Sequence, residues 1–367
     1  MKILVTGSNG FIARNLIVHL KYSTDHEILV FNRENKISEL EGLIKKTDFI
    51  FHLAGVNRPK SEIEYNVNFE LTHEIVKVCE EGNFNIPILY SSSSQAEIDN
   101  PYGRSKLNAE KILIDYQKKN QVAVFIYRLS NVFGKWSKPN YNSVVSTFCF
   151  NIANDLDIKI NNPESEINLV YIDDVIKDFM EKLIKSSNEN SYCYVNQVYK
   201  LKLGELAKKI ESYNQHRNTL TITAVGKGLE RALYSTFISY LPKNKFSYPL
   251  RENIDSRGKF VEILKTGDSG QISFLSTPPG ETRGCHFHHT KSEKFLVVNG
   301  KARIKFRNLL NDESHEICTS DNKTEIVDTI PGWVHDITNI GDKELIVLIW
   351  SNEVFDKDNP DTFYEKT

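Results

Sequence analysis

The chain has 367 residues, and its 46 Lys and Arg residues nearly balance 48 Asp and Glu residues, which gives a formal net charge of −2. This length suits two domains or one large one, and a near-neutral charge without a basic stripe argues against nucleic acid as the main partner. Hydrophobic residues make up 40% of the chain, but the longest apolar runs, 122–127 and 345–350, are far too short to span a membrane.

The first half of the chain alternates short β-branched apolar runs with longer segments of helical spacing. Unbroken apolar runs of this length are typical of parallel strands that are buried on both faces. The repeated β-α-β order therefore predicts a doubly wound parallel sheet of the Rossmann type. The predicted strands are 3–6, 28–31, 49–51, 86–90 and 122–127, and the predicted helices include 11–22, 65–81 and 105–119.

The pattern changes beyond about residue 250. Strand-like runs are separated there by Gly, Pro, Asn and Asp turns, no long helix is predicted, and the polar stretch after Pro242 reads as a linker. The predicted fold class is therefore α/β followed by a small all-β barrel. We expect an N-terminal domain over 1–245 and a C-terminal domain over 250–367.

The start of the chain and the cysteines bear on location. One Lys and a short apolar stretch lead directly into Gly7, which is not the pattern of a signal peptide. The five cysteines are scattered and include no Cys-x-x-Cys pair, so a disulfide framework and a four-cysteine zinc site are both disfavoured. We therefore expect a cytoplasmic protein without a membrane partner.

A glycine-containing string, GSNGFIA over 7–13, follows the first predicted strand and opens the first predicted helix. Glycines at such a turn let the backbone approach a phosphate, and the helix N-terminus supplies free N–H groups with partial positive charge. The order of strand, loop and helix favours a dinucleotide site over a plain tight turn. The predicted cofactor-binding residues here are Gly7, Asn9, Gly10, Phe11 and Ile12.

The end of the second predicted strand bears on which dinucleotide binds. NAD-binding proteins usually place an acid there for the ribose 2′-hydroxyl, whereas this chain has Asn32 and Arg33. Because a guanidinium suits a 2′-phosphate, we predict NADPH as the cofactor, with both residues beside it. The alternative is that Arg33 is an ordinary solvated surface residue.

Tyr102 and Lys106 are four residues apart, so they share one face if the segment is helical. Beside a nicotinamide, the Lys can lower the pKa of the phenol and keep it ready to donate a proton to an oxygen that receives hydride charge. Four serines at 91–94 end the preceding strand, and a hydroxyl there can hydrogen-bond the same carbonyl oxygen. Taken singly, these are ordinary surface residues.

Together these stretches resemble the extended branch of the short-chain dehydrogenase/reductase family, which acts on nucleotide sugars. The resemblance covers roughly 1–240 and also rests on DFIFHLAG at 48–55 and RLSNVFG at 128–134. It implies that Tyr102 is the general acid/base and that Lys106 binds the nicotinamide ribose. The further cofactor contacts that it implies are Leu53, Ala54, Gly55 and Asn66, and it places Asn131 toward the sugar nucleotide.

The same resemblance makes Ser93 the catalytic serine, with Ser92 as the second choice. Sugar 4,6-dehydratases of this family place an acid directly after the catalytic Ser or Thr, whereas Ser93 is followed by Ser94 and Gln95. Dehydration is therefore disfavoured. Reduction or epimerisation of a ketose carbon remains.

In the C-terminal domain, the densest group of metal-ligating residues falls within one short string. On a strand, His286 and His288 point to the same face because side chains alternate, and Glu293 follows five residues later. His335 can complete a set of two or three histidines plus one carboxylate, which suits Zn, Mn or Fe. We predict a divalent metal site, with zinc as the first expectation. His289 is a further candidate ligand, since a bulge could turn it inward in place of His286.

The spacing of these residues resembles the two cupin motifs, including Gly300 in the first and Gly332 in the second. Two strings, DSRGKF at 255–260 and RGCH at 283–286, also resemble those of the cupin-type sugar-nucleotide 3,5-epimerases. In that group the His after Arg-Gly-x is the base. His286 is therefore a rival candidate for proton abstraction, instead of metal ligation.

A reductase followed by an epimerase-like cupin resembles the bifunctional enzymes of capsule and O-antigen sugar-nucleotide synthesis over essentially the whole length. The resemblance implies C3 epimerisation of UDP-2-acetamido-2,6-dideoxy-hexos-4-ulose by the cupin and then NADPH-dependent C4 reduction. The product would be UDP-2-acetamido-2,6-dideoxy-L-talose, on the route to UDP-N-acetyl-L-fucosamine. Epimerisation must come first, because a C3 proton is acidic only while C4 is a carbonyl. Cupin sheets commonly pair at their edges, so a homodimer is expected.

Three alternatives stay open. The cupin could be only a dimerisation or sugar-binding module, or it could be an iron oxygenase fused to a reductase. The chain could also be a non-enzymatic NADPH sensor, against which the intact pair of Tyr102 and Lys106 argues.

Overall fold

The computed structural model describes residues 1–59, 61–184 and 192–367. The chain divides into two compact units, Met1–Glu211 with Lys227–Pro242 and Ser212–Gly226 with Lys243–Thr367. Residues 212–226 fall in the predicted N-terminal domain but belong to the second unit. The assignment of separate functions to 1–245 and 250–367 stays a prediction. Among the described residues, no helix is both long and apolar enough to cross a membrane.

The first part of the chain alternates strands and helices, as the apolar pattern predicts. Its elements are β1 (Lys2–Thr6), α1 (Phe11–Ser23), β2 (Glu27–Phe31), α2 (Leu40–Ile44), β3 (Phe49–His52), α3 (Val67–Glu81), β4 (Ile88–Ser93), α4 (Pro101–Asn120) and β5 (Val124–Leu129). They continue with β6 (Asn131–Phe133), α5 (Val144–Ala153), β7 (Glu166–Tyr171), α6 (Ile172–Ile184), β8 (Tyr192–Cys193), β9 (Tyr199–Lys202), α7 (Leu203–Thr219), β10 (Thr221–Ile222) and α8 (Gly228–Ile238).

The main sheet of the first unit is parallel throughout, in the order β2-β1-β3-β4-β5-β8. Its strands are apolar without alternation because helices cover both faces, and Leu4, Ile50, Ile88 and Ile126 all lie in one buried core. The strand order reverses between β1 and β3, and ligands of such sheets bind outside the carboxyl ends of the strands at that point. The predicted Rossmann-type sheet is confirmed. A small separate sheet pairs β6, β7 and β9.

The second unit is rich in β-strands. Its further elements are β11 (Glu252–Asp255), β12 (Gly258–Thr266), β13 (Gly270–Thr277), β14 (Thr282–Phe287), β15 (Glu293–Asn299), β16 (Lys301–Asn308), β17 (Ser314–Ser320), β18 (Val327–Asp328), β19 (Trp333–Asn339), β20 (Leu345–Ser351) and β21 (Phe363–Tyr364). One sheet has the order β10-β12-β13-β20-β15-β18, with β11 also paired to β12. The other sheet has the order β17-β16-β19-β14-β21.

The two sheets of the second unit enclose a common apolar core. Phe295 and Val347 come from the first sheet, and Ile304, Phe306 and Ile337 come from the second. A β-rich C-terminal region is thereby confirmed. No pairing between described strands joins the two sheets, so the closed cupin barrel that the sequence predicts is not confirmed.

Candidate functional site

The turn between β1 and α1 passes close to the end of β3. Gly7 has a φ of +67°, and a Cβ added there would lie 2.6 Å from the Cα atom of Ala54. Any other residue would therefore be both strained and obstructed. Gly10 donates its N–H to the carbonyl oxygen of Gly7 and directly precedes α1. The free N–H groups of the first turn of α1 then face the cleft that Asn9, Gly10, Phe11 and Ile12 help to line.

A buried hydroxyl of β1 forms hydrogen bonds with the backbone directly after β3. Thr6 Oγ1 accepts the backbone N–H groups of Leu53 and Ala54, each at 3.2 Å, and lies 2.8 Å from Nδ1 of His52. Nε2 of His52 lies 2.9 Å from Thr72 Oγ1. Burial and then the charge of a nearby lysine lower the pKa of His52 to about 3, so its ring is neutral. Leu53 lines the cleft, whereas Ala54 lies behind it against the glycine turn.

The structure does not bring Asn66 to this cleft. Asn66 is exposed at the start of α3, whereas Asn68 is buried and exchanges two hydrogen bonds with the backbone of Val56, at 2.7 and 3.0 Å. Asn68 Nδ2 also donates to Ser105 Oγ. Helical phase explains the difference between the two positions, and the predicted cofactor contact of Asn66 stays a prediction. The buried face of α3 consists of Asn68, Thr72, Ile75, Val76 and Cys79, a spacing that excludes position 66.

Asn32 and Arg33 follow β2 directly. Asn32 donates from Nδ2 to Ser8 Oγ at 3.3 Å, within the glycine turn. Arg33 is exposed and is not among the residues that line the cleft. Its predicted contact with a 2′-phosphate stays a prediction.

Helix α4 brings Tyr102, Lys106 and Ser93 together. The Asn100 side chain accepts the N–H of Gly103 at 2.8 Å, which begins the helix and places Tyr102 in its first turn, one turn before Lys106. A Cβ on Gly103 would lie 2.2 Å from the carbonyl oxygen of residue 95, so only glycine lets the helix approach the segment that follows β4. Ser93, the last residue of β4, hydrogen-bonds the Tyr102 phenol.

The two catalytic candidates on α4 have shifted pKa values in opposite directions. Burial raises the pKa of the Tyr102 phenol, and the hydrogen bond with Ser93 acts against it. Lys106 is not among the causes of this shift, and the lowering of the phenol pKa expected beside a bound nicotinamide stays a prediction. Burial lowers the pKa of Lys106 to about 8, with Glu110 opposing. Lys106 donates from Nζ to the Ser91 carbonyl oxygen at 2.9 Å.

Ser92 has a different partner, which bears on the choice between the two serines. Its hydroxyl donates to Glu110 Oε1 at 2.5 Å inside the protein. Glu110 is fully buried and also accepts from Arg128 and Tyr192. Both serines border the cleft, but neighbouring side chains of a strand point to opposite faces, and only the hydroxyl of Ser92 is directed to Glu110. Sequence reasoning missed Glu110, since a single acid in a helix carries no signal of such a role.

The cleft has a volume of about 450 Å³ and is lined by Ser93, Tyr102 and Lys106 together with the glycine turn. Gly55 and Asn131 line it as well. A Cβ on Gly55 would lie 3.2 Å from Lys106 Nζ, so the absence of a side chain leaves room beside the ammonium. The predicted cofactor and catalytic residues of the first unit that line this cleft are Asn9, Gly10, Phe11, Ile12, Leu53, Gly55, Ser93, Tyr102 and Lys106. Gly7, Asn32, Arg33, Ala54 and Asn66 are not among its lining residues. The remaining lining residues include Lys138, Tyr141 and Ser143.

A second cluster lies inside the β-rich unit. His286, His288, Glu293 and His335 each offer one ligand atom, and these atoms lie within 4.8 Å of one another. His286 and His335 stand opposite each other on β14 and β19, so their side chains share a face. Glu293 begins β15 in the other sheet, and its Oε2 lies 3.5 Å from His288 Nε2 and 3.6 Å from His335 Nε2.

The donor atoms of this cluster suit a divalent metal. Nδ1 of His288 lies 2.5 Å from the Asp361 carbonyl oxygen, so it must carry the proton, and Nε2 presents a lone pair to the cluster. Nε2 of both His288 and His335 is buried without a hydrogen-bond partner among the described residues. Three histidines and one carboxylate of this kind are ligands that zinc accepts.

The pKa values in the cluster keep its ligands in metal-binding form. Burial, followed by the charges of His335 and His288, lowers the pKa of His286 to about 4, so its ring is neutral near pH 7. Burial acts to raise the pKa of Glu293, but the neighbouring His288 and His335 and the charge of Lys291 hold it well below its ordinary value. A metal ligand must be deprotonated.

His289 is not brought into this cluster. The bulge that the sequence left open occurs at Cys285, which has a φ of +57°, and after it His286 pairs with His335. The His289 ring instead lies 4.9 Å from that of Phe363, and its N–H donates to the Asp361 carboxylate. Sequence reasoning missed Asp361, which is distant in the chain.

The comparisons with known proteins agree with this description. Residues 3–192 match the NAD dependent epimerase/dehydratase family, and residues 253–363 match a polysaccharide biosynthesis C-terminal domain. The chain belongs to the NAD dependent epimerase/dehydratase family. A nicotinamide cofactor is typical of that family, so this coarser part of the cofactor prediction is confirmed.

Two relatives match over the whole chain. A UDP-2-acetamido-2,6-beta-L-arabino-hexul-4-ose reductase of Pseudomonas aeruginosa is 51% identical over 364 residues, which are 99% of this chain and 98% of the relative. The crystal structure of the capsular polysaccharide assembling protein CapF from Staphylococcus aureus matches with a TM-score of 0.94 at 42% identity, and 100% of each chain is covered. The predicted likeness to capsular polysaccharide enzymes is confirmed.

More distant structures share only the fold of part of the chain. The UDP-glucose 4-epimerase of Thermotoga maritima matches 65% of this chain with a TM-score of 0.56 at 16% identity. The coarse function that the full-length matches support is a nucleotide-sugar reductase of polysaccharide biosynthesis.

Proposed function

We propose that the chain is a bifunctional enzyme that epimerises C3 of a UDP-2-acetamido-2,6-dideoxy-hexos-4-ulose and then reduces its C4 ketone with NADPH. The product is UDP-2-acetamido-2,6-dideoxy-L-talose, a precursor of UDP-N-acetyl-L-fucosamine. The observation that carries the proposal is the presence of two chemically different sites in one chain. One cleft holds Ser93, Tyr102 and Lys106 beside a glycine turn, and the β-rich unit holds three histidines and a carboxylate.

The reduction is assigned to the cleft of the first unit. The nicotinamide, when bound, supplies a hydride to C4 of the sugar. Tyr102 then donates its phenolic proton to the C4 oxygen, so the ketone becomes an alcohol and the phenolate is reprotonated from solvent. Ser93 hydrogen-bonds that oxygen as its charge grows, and Lys106 holds the ribose and keeps a positive charge close by. The raised pKa of Tyr102 suits this role, because the phenol is protonated at neutral pH.

NADPH is proposed over NADH because the two residues directly after β2 are Asn32 and an exposed Arg33, not an acid. A 2′-phosphate at this place would pair with the guanidinium. Arg33→Ala should therefore raise KM for NADPH at least tenfold and leave KM for NADH almost unchanged. An unaltered preference for NADPH in this variant would refute the assignment of Arg33 to the 2′-phosphate.

The epimerisation is assigned to the β-rich unit, for which we propose a cupin-type site that binds zinc. A metal bound there would act as a Lewis acid on the enolate oxygen that forms when C3 loses its proton, or it would brace the fold. His286, His288, Glu293 and His335 are the proposed ligands, and their mutual distances support this set. His286 as the C3 base is the rival role. A His286→Asn variant that retains zinc but loses C3 exchange would favour the base.

The two steps have a chemically determined order. The C3 proton is acidic only while C4 is a carbonyl, since the carbanion is then delocalised as an enolate. Reduction removes that carbonyl and makes the new C3 configuration permanent. Epimerisation must therefore come before reduction, although the reductase residues come first in the chain.

One experiment tests the division of labour. The full-length protein is incubated with the UDP-4-keto sugar in deuterated buffer, and NMR follows C3 before and after NADPH is added. We expect deuterium at C3 without NADPH in the wild type and in Tyr102→Phe, and reduction only in the wild type. His335→Ala should lose the exchange and should still reduce the C3-epimerised ketone when that compound is supplied. If the wild type shows no exchange, the β-rich unit is instead a dimerisation or sugar-binding module.

We also propose a homodimer, which analytical ultracentrifugation of the purified chain would test. A mass that stays at one chain across the accessible concentrations would refute it.

A further inference from the structure

The aromatic ring of Tyr90 lies against the ammonium group of Lys106. Nζ of Lys106 is 4.7 Å from the ring centroid, within the roughly 6 Å over which a ring face attracts a cation. The ammonium also donates to the Ser91 carbonyl oxygen. Lys106 is only 4% exposed, so its charge is largely removed from water. The ring therefore replaces part of the lost hydration.

The position of the Tyr90 ring is set by the neighbouring strand. His52 and Tyr90 stand opposite each other on β3 and β4, and their rings stack with centroids 5.2 Å apart at an angle of 27°. Hydrogen bonds to Thr6 and Thr72 hold the His52 ring on its other edges. Because His52 is neutral, it adds no positive charge beside the lysine.

The hydroxyl of Tyr90 does not explain why an aromatic residue stands there. The side chain is completely buried, and its oxygen has no hydrogen-bond partner among the described residues. A buried hydroxyl without a partner costs free energy. The ring, and not the oxygen, is the part of Tyr90 that makes a stabilising contact with Lys106.

We propose that Tyr90 is a positioning residue whose ring face stabilises the charged form of Lys106 and holds it at the wall of the cleft. The proposal rests on the proposed role of Lys106 in cofactor binding. The other titratable groups around the ammonium are His52, Tyr102 and Glu110. His52 and Tyr102 are neutral, and the Glu110 carboxylate is shared with an arginine, a serine and a tyrosine. The face of the Tyr90 ring is thus a source of negative potential within 4.7 Å of the ammonium.

The test is the pH dependence of NADPH binding to the full-length protein, measured by fluorescence titration from pH 7 to 10. Deprotonation of Lys106 weakens the contact with the ribose. Wild-type affinity should therefore fall as the pH rises through about 8, the pKa of Lys106 in the protein without cofactor. Tyr90→Phe retains the ring and should keep this midpoint. Tyr90→Leu removes the ring and should lower the midpoint by about one pH unit.

Tyr90→Leu also creates a cavity, so a second series keeps the proposal testable if that variant does not fold. Phenylalanines with one to five ring fluorines at position 90 preserve the shape and weaken the negative ring face stepwise. We expect the midpoint to fall with each added fluorine. A midpoint that stays constant through the series, with NADPH still bound, would overturn the role of the ring. If the wild type does not bind NADPH, the proposed function fails instead.

Discussion

Replacing Glu110 perturbs an ion pair whose carboxylate is fully buried beneath the serine run. Its carboxylate accepts hydrogen bonds from Ser92, Arg128 and Tyr192 at 2.5 to 3.2 Å. The Arg128 side chain is 17% exposed. In Glu110→Gln its guanidinium retains Glu97 as its remaining anionic partner, at 2.7 Å. Removing one member of a buried pair costs about 3–5 kcal/mol, because the other charge stays desolvated without its partner.

The remaining contact with Glu97 places the expected loss at the lower end. We expect the free energy of unfolding of the first unit to fall by about 3 kcal/mol. For a unit of roughly this size, 1 kcal/mol corresponds to a shift of about 2–4 °C. The Tm of the transition should therefore fall by about 6–12 °C.

Urea and thermal unfolding of the full-length protein, followed by circular dichroism, would measure the loss. Glu80→Gln is the matched control, because Glu80 pairs with Lys119 at 2.8 Å on the surface of the same unit. An exposed pair contributes less than about 1 kcal/mol. A double variant with Glu110→Gln and Arg128→Met removes both charges and should recover part of the loss.

Two results would refute this reasoning. One is a Glu110→Gln variant that is no less stable than Glu80→Gln. The other is a double variant whose destabilisation equals the sum of the two single ones, because the charges would then be energetically independent.

Three further predictions concern the cleft, the pH dependence of stability and the metal cluster. Ser93→Ala should lower kcat of reduction about 100-fold with an unchanged Kd for NADPH. Ser92→Ala should lower Tm and leave kcat nearly intact. Steady-state kinetics that show the reverse would make Ser92 the catalytic serine. The pKa of His52 is about 3 in the folded protein against 6.5 for an ordinary histidine, so its contribution to stability is complete above pH 6.5 and is lost as the pH falls toward 3. His52→Gln should therefore flatten the dependence of unfolding free energy on pH between 4 and 6.5 by up to about 1.4 kcal/mol per pH unit, and an unchanged slope would contradict the buried neutral ring. Asp361→Ala keeps the backbone carbonyl beside His288 but removes the carboxylate that accepts the N–H groups of His289, Thr290 and Lys291. It should therefore weaken zinc binding about 10–100-fold in competition with a chelator, with the exposed Asp358→Ala as control, and equal affinities of the two variants would show that this carboxylate does not position His288.

Features that depend on residues close together in the chain could be predicted from the sequence. The glycine turn follows from the order of strand, loop and helix, and the shared face of Tyr102 and Lys106 follows from helical spacing. The same reasoning applied to α3 would have selected Asn68 instead of Asn66, because only position 68 falls on the buried face. The prediction of Asn66 came from the family likeness without the helical phase.

The choice between Ser92 and Ser93 needed the tertiary structure. Alternation along β4 shows that the two side chains point to opposite faces, but it does not say which face meets the cleft. Packing of α4 against β4 favours Ser93, since Glu110 takes the hydroxyl of Ser92. The direction of the Tyr102 pKa shift also came from burial, which no local pattern reports.

The sequence by itself determined the two kinds of fold, the family and the candidate ligands. Only the tertiary structure decided which ligands meet: His286, Glu293 and His335 come from three strands in two sheets, and the bulge at Cys285 brings His286 opposite His335 while His289 stays outside. The physical reason is that local spacing sets the periodicity of side chains along one element. The distances between elements depend on the packing of a core that forms from the whole chain.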